Sequence, residues 1–161
     1  MDKIINDRIP HIGEQIFETI DTPSLIHCKS VAKTWKVFAE NILFIRFKRN
    51  VCDVFEFEEG IQTEVFKILL EWSRENEIDF NRKKYGGFTG FLSACYNNHI
   101  EVVKMLVENS QKLGIDLNVQ DSDGYSGLMR ACHEENEEVV DFLLANSENY
   151  NIKLDLRNKG D

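Results

Sequence analysis

The sequence predicts an all-α chain in which an N-terminal three-helix module precedes a solenoid of helical repeats. Three observations support this prediction. Only 2 Pro and 9 Gly occur in 161 residues, of which 42% are hydrophobic, and this composition favours a helical globular protein over a turn-rich β fold. A period of 37 residues organises the second part of the chain. Residues 9–48 lack that period and carry apolar residues at helical spacing.

The N-terminal module contains three predicted helices. The first includes the apolar residues of the segment 15–20, and the chain then breaks at residues 21–24. Thr22 can cap the second helix, with Pro23 at its first position. Residues 41–48 form the third. Helices this short bury little apolar surface by themselves, so we expect a partner to complete part of that surface.

An ordered set of residues in this module resembles the F-box motif: Ile9-Pro10, Ile16-Phe17, Ile20, Asp21, Ser24-Leu25, Cys28, Val31 and Lys33-Thr34-Trp35. The motif's first Leu is Ile9 here, and Pro10 lies closer to Ile16 than is usual for the family. The resemblance implies that the module binds a Skp-type adaptor, which joins a cullin scaffold. The residues it assigns to adaptor binding are Ile9, Pro10, Ile12, Ile16, Phe17, Leu25, Cys28, Val31 and Trp35. Without the ordered match, Trp35 would be interpreted as ordinary core.

Two long blocks of the second part recur at an offset of 37 residues. The segment 87–95 recurs as 124–132, and the segment 101–107 recurs as 138–144. Residues 65–70 lie one further period upstream. Each unit begins with a Gly-containing turn, continues with a short helix and a longer apolar helix, and ends in an extended segment such as 152–156.

These units resemble the ankyrin repeat. The residues that match its motif are Thr89, Ala94, His99, Glu101, Val102 and Val103 in one copy, and Gly124, Ala131, Glu138, Val139, Val140, Leu143 and Leu144 in the next. Gly90 and Gly127 replace the motif's Pro, while Leu92 and Met129 replace its His. The usual unit has about 33 residues. The four extra residues follow the longer helix, so we expect that helix or its following loop to project further.

The pattern predicts the following domain boundaries: an F-box-like module at 1–50, a linker and half capping repeat at 51–81, full repeats at 82–118 and 119–155, and the start of a truncated repeat at 156–161. Solenoids normally end on a repeat with a polar outer face, but Leu128, Met129, Phe142 and Leu143 keep the apolar pattern. We therefore expect further repeats to follow in a longer protein.

Residues that bind a target are expected where the copies of the unit differ. Tyr96-Asn97 corresponds to His133-Glu134 within an otherwise constant framework, and such variation is typical of a binding surface on repeats. Simple solvent exposure is the alternative explanation. The predicted target-binding residues are Tyr85, Ser93, Tyr96, Asn97, Arg130, His133 and Glu134.

Composition argues against several function classes. The net charge is −9, with the acidic excess mainly in residues 61–161, so nucleic acid is not an expected partner. The spacing of Cys28, Cys52, Cys95 and Cys132 fits neither a zinc knuckle nor a redox motif, and we interpret them as reduced thiols. No signal peptide, membrane span, cofactor motif, metal motif or catalytic motif is recognisable. The expected location is the cytoplasm, the nucleus or both.

The sequence thus predicts a non-enzymatic substrate receptor of a Skp–cullin–F-box ubiquitin ligase. Its head would bind the adaptor, and its repeats would hold a target protein near the conjugating enzyme. Apart from the adaptor it is expected to be a monomer. The alternative is a plain ankyrin scaffold with no connection to ubiquitination. The two differ in whether Pro10, Leu25 and Val31 remain available to an adaptor.

Overall fold

The computed structural model describes residues 59–73 and 78–160, so the predicted F-box-like module lies outside the described residues. Helices dominate this part of the chain. In order they are α1 (Glu59–Trp72), a 3-10 helix (Tyr85–Gly87), α2 (Gly90–Tyr96), α3 (Ile100–Glu108), α4 (Ser110–Leu113), α5 (Gly127–His133), α6 (Glu137–Ala145) and α7 (Ser147–Tyr150). Between residues 59 and 160 the described backbone forms no strand, only an isolated antiparallel bridge between Gln120 and Ser126. The all-α prediction is confirmed for these residues.

The helices recur with the period of 37 residues. We call α2 and α5 the inner helices and α3 and α6 the outer helices. Each inner helix starts after a hydroxyl cap: Oγ1 of Thr89 accepts from the Leu92 N–H at 3.4 Å, and Oγ of Ser126 accepts from the Met129 N–H at 3.3 Å. These caps satisfy backbone donors that a helix start otherwise leaves without a partner. The capping Thr and Ser occupy the same position of two successive units.

The extra length of each unit forms an additional helical turn. α4 and α7 follow the outer helices after one asparagine each. The Nδ2 atom of the first of these, Asn109, donates to the Met105 carbonyl at 2.8 Å. Both turns end in a left-handed residue, Gly114 with φ 64° and Asn151 with φ 53°. This is the additional length that the sequence places after the outer helix.

Hydrophobic packing between successive units forms the core. The inner helices pack against each other and against the outer helices, and Phe91, Leu92 and Leu106 are fully buried. Each such side chain contributes roughly 1.5–3 kcal/mol through burial. Close approach depends on Gly127, because a Cβ atom there would lie 2.5 Å from Cε1 of Phe91.

Helix α1 occupies the position of an outer helix one unit upstream. It packs against α3 and buries Val65, Phe66 and Leu69 completely. The ring of Phe66 also lies 5.9 Å from the ring of Phe80, measured between centroids. The chain segment between α1 and α2 is thereby attached to the same core.

Asparagine side chains join the segments that end each unit. Nδ2 of Asn81 donates to the Gly114 carbonyl at 2.7 Å, and Oδ1 of Asn81 accepts from the Asp116 N–H at 2.8 Å. One period later, Asn118 makes the same two bonds, to Asn151 at 2.9 Å and from the Lys153 N–H at 2.7 Å. The segment expected to be extended at 152–156 forms no strand. Oδ1 of Asn118, rather than a neighbouring strand, accepts from the Lys153 N–H of this segment.

The apolar face of the second full unit is covered less completely than that of the first. Val107 on α3 is fully buried, whereas its counterpart Leu144 on α6 is 45% exposed. Phe91 is likewise buried, and its counterpart Leu128 is half-buried. In the first unit, this apolar face is therefore buried by α5 and α6, which pack on its C-terminal side.

Candidate functional site

Three loops occupy the same position of the 37-residue period, at the start of successive units. We call them the finger loops: residues 83–88, 120–125 and 157–160. In the first, the Lys84 N–H donates to the Phe88 carbonyl at 2.8 Å; in the second, the Asp121 N–H donates to the Tyr125 carbonyl at 3.0 Å. Gly124 turns the second loop with φ 87°. Glycine adopts this left-handed conformation without steric cost.

The finger loops stack on one another through backbone hydrogen bonds. The Ser122 N–H donates to the Gly86 carbonyl at 2.9 Å, and the Lys159 N–H donates to the Asp123 carbonyl at 3.0 Å. A Cβ atom on Gly87 would lie 2.7 Å from the Ser122 nitrogen. Glycine at this position therefore permits the close approach that the backbone bonds require.

Arg130 on α5 holds the second finger loop in place. Its Nε donates to Oδ2 of Asp121 at 2.6 Å, and its Nη2 lies 3.1 Å from Oδ2 of Asp123. The other oxygen of Asp121, Oδ1, accepts from the backbone N–H groups of Asp123 at 2.9 Å and Tyr125 at 3.0 Å. The Asp121 side chain is fully buried, so its charge is compensated entirely by these donors.

The guanidinium of Arg130 also lies between two aromatic rings. Its Cζ is 4.3 Å from the centroid of Tyr125 and 5.4 Å from that of Phe88, both within cation–π range. Partial burial lowers the pKa of Arg130, but the hydrogen bonds and charges of Asp121 and Asp123 outweigh it and raise that pKa. Arg130 remains charged and connects two successive fingers to the inner helix.

The C-terminal ends of the inner helices carry an aromatic pair in each unit. Tyr96 meets Phe88 edge-on with ring centroids 5.7 Å apart, and His133 meets Tyr125 edge-on at 5.9 Å. Nδ1 of His133 lies 2.8 Å from Oε1 of Glu134. The first and second finger loops therefore each contact the exposed end of their own inner helix, and the two elements form one surface.

The residues predicted to bind a target all belong to these two elements, but their exposure differs. Tyr85, on the first finger, is 99% exposed, and Tyr96 is 40% exposed. Asn97 and His133 are exposed, and Glu134 is partly exposed. Ser93, by contrast, is 8% exposed, and the side chain of Arg130 is 13% exposed and already bonded to two carboxylates. The surface available to a partner consists mainly of the other five residues.

Sequence reasoning missed four residues that shape this surface: Phe88, Tyr125, Asp121 and Asp123. The two aromatic residues were detectable, since they occupy one position of the 37-residue period. The two acidic residues have no acidic counterpart in the first unit, where Lys84 and Gly86 stand at the same positions. Their role depends on Arg130, nine residues from Asp121, and periodicity gives no signal for that pairing.

The described residues hold no metal-binding cluster, and their two cysteines differ in exposure. Across 59–73 and 78–160, no group of three or more His, Cys, Asp or Glu side chains is placed to hold a metal ion. Cys95 is fully buried, and this burial raises its pKa far above the ordinary value. Cys132, its counterpart one unit later, is exposed. Among the described helices, none has the length and apolarity needed to cross a bilayer.

Comparison with known proteins identifies the repeat region. A family model described as ankyrin repeats, in three copies, matches residues 57–155. Searches of curated proteins and of solved structures return no match. Residues 1–56, with all nine predicted adaptor-binding residues, lie outside the family match and outside the described structure. The match supports a role as a protein-interaction scaffold, and it covers most of the sequence: the chain belongs to the ankyrin-repeat family.

Proposed function

We propose that the repeats hold a target protein on the surface formed by the finger loops and the exposed ends of the inner helices. We call this the finger–helix surface and define it by Tyr85, Tyr96, Asn97, His133 and Glu134. The observation that carries the proposal is the contrast between framework and surface. Thr89 and Ser126 cap equivalent helices, whereas the exposed positions 96 and 97 carry different residues at 133 and 134.

The geometry suits a binding surface in two further respects. Tyr96 and His133 are each held edge-on against a second ring, so little conformational freedom remains to be lost when a partner binds. Aromatic side chains that are both exposed and positioned in this way are typical binding hot spots. The stacked backbone of the finger loops also fixes the separation between the two units' contact residues.

An affinity-capture experiment tests this proposal. The full chain, immobilised, is compared with the triple variant Tyr96→Ala, His133→Ala, Glu134→Ala in capture from a cell extract. Truncating interface hot spots typically costs about 2 kcal/mol or more each, so the specific partner should be lost. The matched control is Glu108→Ala, Gln111→Ala, Lys112→Ala, because all three are exposed on α3 and α4. Equal capture by the surface triple variant and the wild-type chain contradicts the proposal.

We further propose that the chain is a substrate receptor of a Skp–cullin–F-box ubiquitin ligase, with residues 1–50 binding the adaptor. This rests on the ordered F-box-like pattern from Ile9 to Trp35. A plain ankyrin scaffold is the alternative, and the repeats by themselves fit it equally well. The proposal implies that Leu25→Ala combined with Trp35→Ala weakens binding to a recombinant Skp-type adaptor by about 1–4 kcal/mol for each anchor. If circular dichroism shows an unchanged fold and adaptor affinity is also unchanged, the result supports the plain ankyrin scaffold instead.

A further inference from the structure

The row of finger loops is basic, although the protein as a whole carries a net charge of −9. The first finger follows directly on Arg82 and contains Lys83 and Lys84, and the third contains Arg157 and Lys159. These residues are distant in sequence, and the stacking of the loops brings them onto one edge of the molecule. We call Lys83, Arg157 and Lys159 the basic edge.

No ion pair between residues of the described ranges involves Lys83, Arg157 or Lys159. Both ammonium groups donate instead to backbone carbonyls: Nζ of Lys83 to Gln120 at 3.0 Å, and Nζ of Lys159 to Ser122 at 2.6 Å. An ammonium group has three donors, so each retains hydrogen-bonding capacity while its position is fixed.

The acidic residues of the middle finger are already occupied. Arg130 binds both Asp121, which is buried, and Asp123, which is exposed. One arginine facing two carboxylates leaves about one negative charge on this finger, against three positive charges on the basic edge. The acidic excess of the chain is found elsewhere, including on the outer helices, where exposed Glu108, Glu137, Glu138 and Asp141 lie.

An unusually exposed aromatic residue lies on the same row of loops. Tyr85 occupies the position of Ser122 and Lys159 in the following fingers and is 99% exposed. Its ring does not pack within the described fold. It therefore contributes no hydrophobic stabilisation to the folded protein. A ring beside fixed cations provides both an anchor and a charged guide for a partner.

We propose that the basic edge, together with Tyr85, binds an acidic segment of the target protein, one rich in Asp and Glu. The proposal rests on the proposed function, in which the finger–helix surface holds a target. Charge complementarity with the basic edge selects the acidic residues, while Tyr85 contacts the segment's apolar side chains. Cations that lack carboxylate partners lose little on binding, because no internal ion pair has to be broken.

A nucleic acid is a less suitable occupant of the same edge. Glu134 and Glu135 lie at the end of α5, on the unit to which the second finger belongs, and the whole chain is acidic. A long polyanion following the finger row would be repelled by these charges. A short acidic segment needs to approach only the basic edge.

Selection from a random dodecapeptide display library on the immobilised full chain tests the proposal. We expect the enriched peptides to be rich in Asp and Glu. Their binding, measured by fluorescence anisotropy, should weaken at least tenfold for Lys83→Glu combined with Arg157→Glu, and also for Tyr85→Ala. It should also weaken as NaCl is raised, because exposed charges are screened. The matched control is Lys112→Glu combined with Lys153→Glu, which reverses two exposed lysines away from the finger loops and should leave affinity within twofold.

Three outcomes would overturn the inference: enrichment of neutral or basic peptides, unchanged affinity in the folded Lys83→Glu, Arg157→Glu variant, or tighter binding of single-stranded dT12 than of the acidic peptides. Circular dichroism confirms that each variant remains folded. The proposed function fails separately. If affinity capture still depends on Tyr96 and His133 while acidic peptides are not selected, only the acidic-segment inference is wrong.

Discussion

The carboxylate of Asp121 accepts a hydrogen bond of 2.6 Å from Nε of Arg130, and this contact connects the second finger loop to the inner helix of its own unit. The first unit has no such pair, since Lys84 and Ser93 stand at the corresponding positions. The second finger is therefore held by a buried charge pair, whereas the first is held by its backbone and by Lys83. One repeat framework supports two differently stabilised loops.

Removing the guanidinium should destabilise the protein. In Arg130→Ala the fully buried carboxylate of Asp121 keeps only its backbone donors, and the cation–π contacts with Tyr125 and Phe88 are lost. We expect the free energy of unfolding to fall by about 2–4 kcal/mol, because breaking one side of a buried pair leaves a charge uncompensated.

Urea denaturation followed by circular dichroism measures this loss. Arg157→Ala provides the control, since Arg157 is exposed and forms no ion pair within the described residues; a change below about 0.5 kcal/mol is expected there. Similar stabilities for Arg130→Ala and Arg157→Ala would show that the pair with Asp121 contributes nothing net.

A methyl group at Gly127 should disturb the packing of the inner helices. The added Cβ would meet Cε1 of Phe91 at 2.5 Å and Sγ of Cys95 at 3.1 Å, and both side chains are fully buried. Overpacking of this kind typically costs about 1–3 kcal/mol. The better helix propensity of alanine offsets at most about 1 kcal/mol of it.

The matched test combines Gly127→Ala with Phe91→Leu, which removes the clashing ring edge. Thermal unfolding should show the double variant losing less than the sum of the two single changes, because residues in contact are not additive. Strict additivity would mean that Phe91 can move aside freely, and the close approach would then have no energetic importance.

Much of the fold was predictable because the repeat makes each unit a copy of the next. The offset of 37 residues, the inner and outer helices, and the extra turn at α4 and α7 all follow from apolar spacing and length. Apolar residues at helical spacing identify these elements, and a second copy of the pattern doubles the signal.

The candidate surface was predictable only in part. Variation between copies identified the exposed Tyr96 and His133, but it also selected Arg130, which varies because it pairs with Asp121 inside its own unit. Pairing between a loop and a helix depends on tertiary structure. The basic edge was also predictable in part, since Lys83 and Arg157 occupy the same position of the period two units apart, but the contacts that hold Lys83 and Lys159 follow only from the stacked loops.

The asparagine that closes each unit should contribute to stacking. Asn118→Ala removes the bonds to the Asn151 carbonyl and from the Lys153 N–H. We expect the free energy of unfolding to fall by about 1–2 kcal/mol. The loss is modest because both bonds are exposed to water. Asn118→Asp keeps the acceptor but not the donor, so its loss should be intermediate. Asn97→Ala, whose Nδ2 bonds only within its own helix end, is the control. Equal stability of Asn118→Ala and Asn97→Ala would show that the bridge between units is not stabilising.

The two cysteines of the repeats should differ sharply in reactivity. Cys95 and Cys132 occupy the same position of successive units, but Cys95 is fully buried and Cys132 is exposed. Burial raises the pKa of Cys95, so in the folded protein it stays in the unreactive thiol form, whereas Cys132 is accessible to a reagent and should react faster. The measurement is labelling by iodoacetamide at pH 8, read by peptide mass spectrometry in a Cys28→Ser, Cys52→Ser background. Linkage gives the pH dependence of stability: because the native state holds the Cys95 proton more tightly than the unfolded state does, this contribution to stability is fully present below the unfolded pKa and is lost as pH rises from the unfolded toward the folded pKa. In 6 M urea both residues should label at similar rates. If Cys95 is labelled in the native protein as fast as Cys132, then α2 and α5 separate readily. The interface between these two repeat units would then not be tightly packed.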